Sequence, residues 1–131
     1  MSKYWVEYVK EYRPSPASLV VHRPLDCEHW SGATKFDPPL PQPEVGKGYP
    51  VSKVEAKGYE LSFSSMEEVE HCIDVLSQKN LPTTRSLAEE SWLGQGYQHL
   101  HWLTKLPSAL KSYKERQKIV RLLGHLKSHN Q

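Results

Sequence analysis

The chain has 131 residues, 37% hydrophobic and 24% charged with a net charge of +2, a balance that fits one globular domain around a single core and excludes a chain disordered along its length. No uninterrupted apolar stretch exceeds three residues, and the opening Met1-Ser2-Lys3-Tyr4-Trp5 lacks the apolar run of a secretory signal. A membrane-spanning helix requires ~20 apolar residues, so no membrane partner is expected, the expected setting is the cytoplasm, and Cys27 and Cys72 are expected there as free thiols.

Tyr4 to Tyr12 alternates with the strand period, Tyr4, Val6 and Tyr8 on one face and Trp5, Glu7, Val9 and Glu11 on the other, until Arg13-Pro14-Ser15-Pro16 ends it. Ser18 to His22 reads as a second short β-prone run stopped by Pro24, and the turn between the two predicts a hairpin. From Asp26 to Pro50 the pattern is lost, and five of the ten prolines fall at Pro38, Pro39, Pro41, Pro43 and Pro50. Proline favours extended conformation and disfavours helix, so this segment reads as a functional loop or linker, with Trp30, Phe36 and Tyr49 pinning parts of it to the core. A polyproline ligand is one use for Pro38 to Pro43; a stiff loop packed along the surface is the expected one.

Val51 to Ala56 and Tyr59 to Ser64 are β-prone and joined by Lys57-Gly58, where glycine supplies the positive φ of a tight hairpin. Tyr59, Leu61 and Phe63 are expected to face the core. Ser65-Met66-Glu67-Glu68 is a capping box, followed by Met66, Val69, Ile73 and Leu76 at helical spacing, which predicts an amphipathic helix to about Lys79. Thr84 to Trp92 and Tyr97 to Lys105 read as shorter helices separated by Gly94-Gln95-Gly96. A second box, Ser112-Tyr113-Lys114-Glu115, opens a last helix to about Lys127. The expected fold is α+β in one domain over residues 1–131: an antiparallel sheet with hairpins from the N-terminal half, covered by C-terminal helices.

The net charge conceals a polarity. Residues 105–131 carry seven Lys/Arg against Glu115 alone, whereas residues 1–104 carry ten against fourteen acidic residues. Such asymmetry is the footprint of a charged partner, nucleic acid or an acidic protein surface. Projected on a helical wheel, Lys114, Lys118, Arg121 and His125 fall within about 60° of one another, opposite Ile119, Leu122, Leu123 and Leu126. This stripe, with Lys105 and Lys111 adding to its field, is the candidate nucleic-acid or partner-binding face; the alternative is a solvated helix surface. Tyr97, Trp102 and Tyr113 are available to stack on bases, although core packing is the commoner use of such aromatics. Arg116 projects into the apolar arc and is expected to ion-pair with a carboxylate of the acidic helix. On that helix Glu67, Glu68, Glu70 and Asp74 form the alternative partner face, suited to mimic phosphates or to match a basic surface.

The run from Tyr59-Glu60-Leu61-Ser62-Phe63-Ser64-Ser65 through Cys72 to Thr84 and His101-Trp102-Leu103-Thr104-Lys105-Leu106-Pro107 resembles small uncharacterised proteins of proteobacterial genomes, often encoded near phage or integrated elements. The resemblance spans residues 59–123, and it implies a genomic setting and no catalytic residue.

No nucleophile elbow, phosphate-cradling glycine loop or zinc-protease motif occurs, so no enzyme is expected. Cys27-x-His29 and His71-Cys72 offer zinc-type ligands, with His22, His99 and His101 as further candidates, but neither pair has zinc-site spacing; no metal or cofactor is expected. The expected function is a small accessory protein of a phage or mobile element that binds nucleic acid or a nucleoprotein complex through the last helix. A protein-binding module or inhibitor acting through the acidic helix is the alternative, the chain being a monomer or homodimer.

Overall fold

The computed structural model of the chain describes residues 3–94 and 101–129. Its elements are β1 (Lys3–Val9), α1 (Ser18–Val21), β2 (Arg23–Pro24), β3 (Phe36–Asp37), β4 (Tyr49–Ala56), β5 (Tyr59–Phe63), α2 (Met66–Leu76), α3 (Thr84–Glu90) and α4 (Tyr113–His129), with short 3-10 turns at Trp30–Gly32, Trp102–Lys105 and Ser108–Leu110. The fold is α+β: an antiparallel sheet ordered β1-β4-β5 packs against C-terminal helices, α4 lying on β1 and β4 and α2 on α4. Among the described residues no helix is long and apolar enough to cross a membrane.

The β4–β5 hairpin forms as its turn chemistry dictates. Lys57 and Gly58 both take positive φ, 51° and 81°, the mirror-image turn whose twist matches the strands. Alternation then divides the sheet: Val54, Ala56 and Phe63 are buried on the helical side, while Lys53, on the other, bridges Glu7 at 3.1 Å and Glu60 at 2.7 Å. Leu61 is half-buried with the core set, but Tyr59, beside the turn, remains 44% exposed.

The expected hairpin between the first strand and Ser18–His22 does not form. β1 pairs with β4 (Trp5 opposite Lys53), and Ser18–Val21 is a single helical turn. Serine side-chain bonding and tryptophan donors override the β-propensity of Leu-Val-Val. Ser18 Oγ accepts the Ser15 amide at 2.9 Å, and the Ser18 amide donates to Ser15 O at 3.0 Å. The α1 carbonyls of Leu19 and the adjoining His22 accept the indole N–H groups of Trp92 at 2.7 Å and Trp30 at 2.9 Å.

The proline-rich segment is tied at several points. β2 and β3 form a two-residue ladder, Asp26 accepts the amides of Thr34 and Lys35, Trp30 packs on Phe36 at 4.9 Å, and Tyr49 meets Tyr12 edge-on at 5.8 Å. Gly48, at φ 100°, lies against β1 so closely that a Cβ there would sit 2.4 Å from Val9 O. The expected helix Tyr97–Lys105 lies partly outside the described residues; from Trp102 the chain makes a 3-10 turn with His101 as its cap.

Candidate functional site

Ser112 Oγ accepts the Glu115 amide at 3.3 Å and opens α4, whose Ile119, Leu123 and Leu126 are buried against the sheet and α2. That seam fixes the azimuth of the helix, so Lys114, Arg121 and His125 are exposed together and Lys118 is half-buried at the stripe's margin. Part of the stripe is answered internally. Lys118 Nζ lies 3.4 Å from Glu115, which Lys57 also approaches at 3.6 Å; burial pushes the Glu115 carboxyl up, but the two lysines outweigh it and hold it below its ordinary value. His125 stacks on Tyr4 with ring centres 5.4 Å apart. Lys127 reaches Glu70 across α2 at 3.6 Å. Lys114 and Arg121 have no carboxylate partner among the described residues, and neither have Lys105 or Lys111, both exposed on the turns before α4. Lys105 lies beside β5, lining a groove there.

Arg116 is structural, as its azimuth suggested, but its partners are not carboxylates. Its guanidinium donates to the carbonyls of Leu76 at 3.0 Å, Gln78, and Lys79 at 3.1 Å, and Nε donates to Lys111 O at 2.9 Å. These include carbonyls left over where α2 ends, so a cation from α4 serves as the C-terminal cap of α2 and complements its dipole. This also accounts for α2 stopping at Leu76 where the spacing predicted Lys79: the following carbonyls bend toward Arg116.

On α2, Glu67, Glu70 and Asp74 are exposed and form the acidic face. Glu68 does not belong to it. Its side chain is fully buried and collects hydrogen bonds from the hydroxyls of Ser15, Ser18, Ser64 and Ser65 and from the Ser64 amide, with His22 Nε2 at 3.2 Å. His22 is fully buried too, and its Nδ1 lies 2.7 Å from Pro38 O. Burial acts against both charges, but the His22 contact and the serine hydrogen bonds hold Glu68 below its ordinary value, and Glu68 with Pro38 O raises His22 above its own. The sequence signal was the capping-box glutamate with an adjacent second serine; what the box did not reveal is that Ser18 arrives from α1, and Ser15 and His22 from the residues flanking it.

Serine, histidine and glutamate together suggest a catalytic triad, and the connectivity rules that reading out for this cluster. In a triad the carboxylate orients one imidazole nitrogen and the other takes the serine proton. Here the same nitrogen, His22 Nε2, faces both Ser65 Oγ at 2.8 Å and Glu68, and Ser65 Oγ is also occupied as the α2 cap. The cluster is a polar clasp joining α1 and the proline-rich segment to the α2 N-terminus.

A second histidine group, His71 and His101, lines a cavity together with Val20 and Val21 of α1. Trp102 donates its indole N–H to His71 Nε2 at 2.9 Å, and Leu103 donates its amide to His101 Nδ1 at 3.1 Å, leaving His101 Nε2 buried with no partner among the described residues, beside that cavity of about 360 Å³. Burial lowers both imidazoles, that of His101 to about 4, with His71 nearby adding to the effect there. Among the described residues no three His, Cys, Asp or Glu side chains gather at a metal-sized site. Cys72 is buried in the core, where burial pushes its thiol up, and Cys27 is half-buried against Gly32. Of the aromatics considered for stacking, Trp102 is buried, Tyr113 is exposed beneath Arg116, and Tyr97 lies outside the described residues, as does His99.

No protein-family model matches the chain, and no curated protein or solved structure matches it.

Proposed function

We propose that the protein is a non-catalytic accessory protein of a phage or mobile element, acting in the cytoplasm, that binds nucleic acid or a complex built on it through the exposed face of α4. The observation that carries this reading is the pair of exposed cations Lys114 and Arg121, which take no ion pair among the described residues, on the helix face away from a buried apolar seam, with Lys118 and His125 beside them. A rigid row of cations spaced along a helix contacts phosphates without reading bases, which implies affinity with weak sequence preference and strong salt dependence. The genomic setting rests on the resemblance of residues 59–123.

A second reading has its own support: Glu67 and Asp74 are exposed on α2 and take no ion pair among the described residues, leaving an acidic face for a basic protein surface. Capture by the tagged protein from host lysate, with and without nuclease, separates the two. Partners released by nuclease support the first reading, and the triple reversal of Lys114, Lys118 and Arg121 to Glu abolishes their capture. Partners that persist after nuclease and vanish when Glu67, Glu70 and Asp74 are neutralised overturn it in favour of the second.

A further inference from the structure

β5 is an edge strand, and its free edge opens onto a groove. In a hairpin with a two-residue turn the flanking residues form a hydrogen-bonded pair, so Tyr59, Leu61 and Phe63 direct their backbone groups at Ala56, Val54 and Ser52 of β4. Glu60, Ser62 and Ser64 direct theirs away from the sheet. The Ser64 amide fits this parity, because it leaves β4 and donates to Glu68 at 3.2 Å. The outward amides and carbonyls of Glu60 and Ser62 take no hydrogen bond among the described residues.

Alongside this edge is a cavity of about 230 Å³ lined by Ala17, Phe63, Trp102, Lys105, Leu106 and Pro107 with the length of β5 itself. A cavity of ~150 Å³ admits a benzene-sized group, so this one holds a single branched or aromatic side chain. At the mouth the charges are unbalanced: Glu60 is paired with Lys53, whereas Lys105 is exposed and has no carboxylate partner among the described residues.

We propose that this edge is a strand-addition site for an extended peptide segment of a partner protein, one that alternates apolar and polar residues and carries an acidic residue opposite Lys105. The peptide backbone pairs with Glu60 and Ser62, one apolar side chain enters the cavity, and the acidic residue answers Lys105. Main-chain pairing supplies affinity and the pocket supplies selection, as in other edge-strand recognition. The site is built on β5 and shares only Lys105 with the charges that add to the α4 field, so strand addition does not depend on what α4 itself binds.

The test uses the full chain and short fluorescein-labelled peptides of alternating Thr and Leu, with either Glu or Lys two residues from the central Leu and so on the face that meets the cavity and Lys105, and copies N-methylated on one or the other set of alternate residues. Binding of the Glu peptide, weakened about tenfold by N-methylation of one alternate set and not the other, is the expected result. Ser62→Pro removes an outward amide at an edge position that tolerates proline and weakens binding by a similar factor, while Lys105→Glu inverts the preference between the Glu and Lys peptides. If Ser62→Pro fails to fold, the N-methyl series on the unaltered protein decides alone. No binding at about 1 mM peptide, or equal binding by both methylated sets, overturns the proposal. A concentration-dependent dimer in sedimentation that Ser62→Pro or Lys105→Glu dissolves also overturns it, by assigning the edge to a second copy of the chain.

Discussion

Glu68→Gln preserves side-chain size and removes one charge from the clasp between α1 and α2. The carboxylate now accepts five hydrogen bonds and opposes His22. An amide has one acceptor oxygen, and its NH2 group would meet hydroxyls and an imidazole in a site with no solvent, since both side chains are fully buried. Breaking a buried charge pair by removing one partner costs ~3–5 kcal/mol, and each orphaned neutral donor ~1–3 kcal/mol. Hydroxyl rotation and loss of the His22 proton relieve part of this, so the expected net loss is ~3–5 kcal/mol. For a chain of this length that lowers Tm by ~10–20 °C. Urea unfolding followed by far-UV dichroism and by tryptophan fluorescence is the assay; the midpoint should fall with the slope unchanged, and Trp30 and Trp92, bonded to α1, should report it with the helices. A loss under ~1 kcal/mol at constant slope would refute the assignment of the carboxylate as the clasp.

Stability should peak near pH 6.5 and decline on both sides, for reasons carried by different histidines. His22 is raised in the folded state, so its contribution is complete below the unfolded value of 6.5 and is lost as pH rises through the folded value. His71 and His101 are lowered, the latter to about 4, so their contribution is complete above 6.5 and declines as pH falls toward the folded values. His22→Asn should flatten the alkaline limb of a Tm profile and His101→Asn the acid limb; unchanged limbs contradict the assignments. Arg116→Met strips the cap from α2 and should cost ~2–4 kcal/mol in urea unfolding, because the carbonyls of Leu76, in a buried bond, and of Gln78 and Lys79, in half-buried ones, lose charged donors; a change within ~0.5 kcal/mol would contradict the capping role. In native protein an aromatic disulfide reagent should modify Cys27 and spare Cys72 until urea unfolds the core; rapid modification of both would contradict the burial of Cys72.

Features governed by local chemistry were legible in the sequence. The Lys57-Gly58 turn, the Ser65 and Ser112 caps and the azimuth of α4 each follow from residues within one or two turns of each other and form as read, but only the serine half of each capping box does: Glu68 turns to the serine cluster and Glu115 to Lys118 and Lys57 instead of returning a bond to the cap amide. Contacts between distant segments were not legible. Val-Val in α1 reads as strand until Trp92 is known to bond the Leu19 carbonyl and Trp30 that of the adjoining His22, and Arg116 reads as an ion-pairing residue until the end of α2 is known to lie beside it. Glu68 looked like a member of the acidic face because the capping box says nothing of what approaches from α1. At the candidate site the stripe itself was readable, but its partial neutralisation by Glu115 and the Tyr4 contact of His125 required the sheet to be in place.

The most direct measurement of the α4 reading is the salt dependence of oligonucleotide affinity, by fluorescence anisotropy with a labelled mixed-sequence single strand and the matching duplex. Each phosphate neutralised contributes a slope of about −0.7 for single strands and about −0.9 for duplex in log affinity against log salt. Lys114, Lys118, Arg121 and their neighbours should therefore give a slope of about −2 to −4, and reversing those three residues to Glu should remove binding at the lowest salt. Affinity and slope that survive the triple reversal, or no binding to either oligonucleotide at low salt, would contradict phosphate contact by this helix.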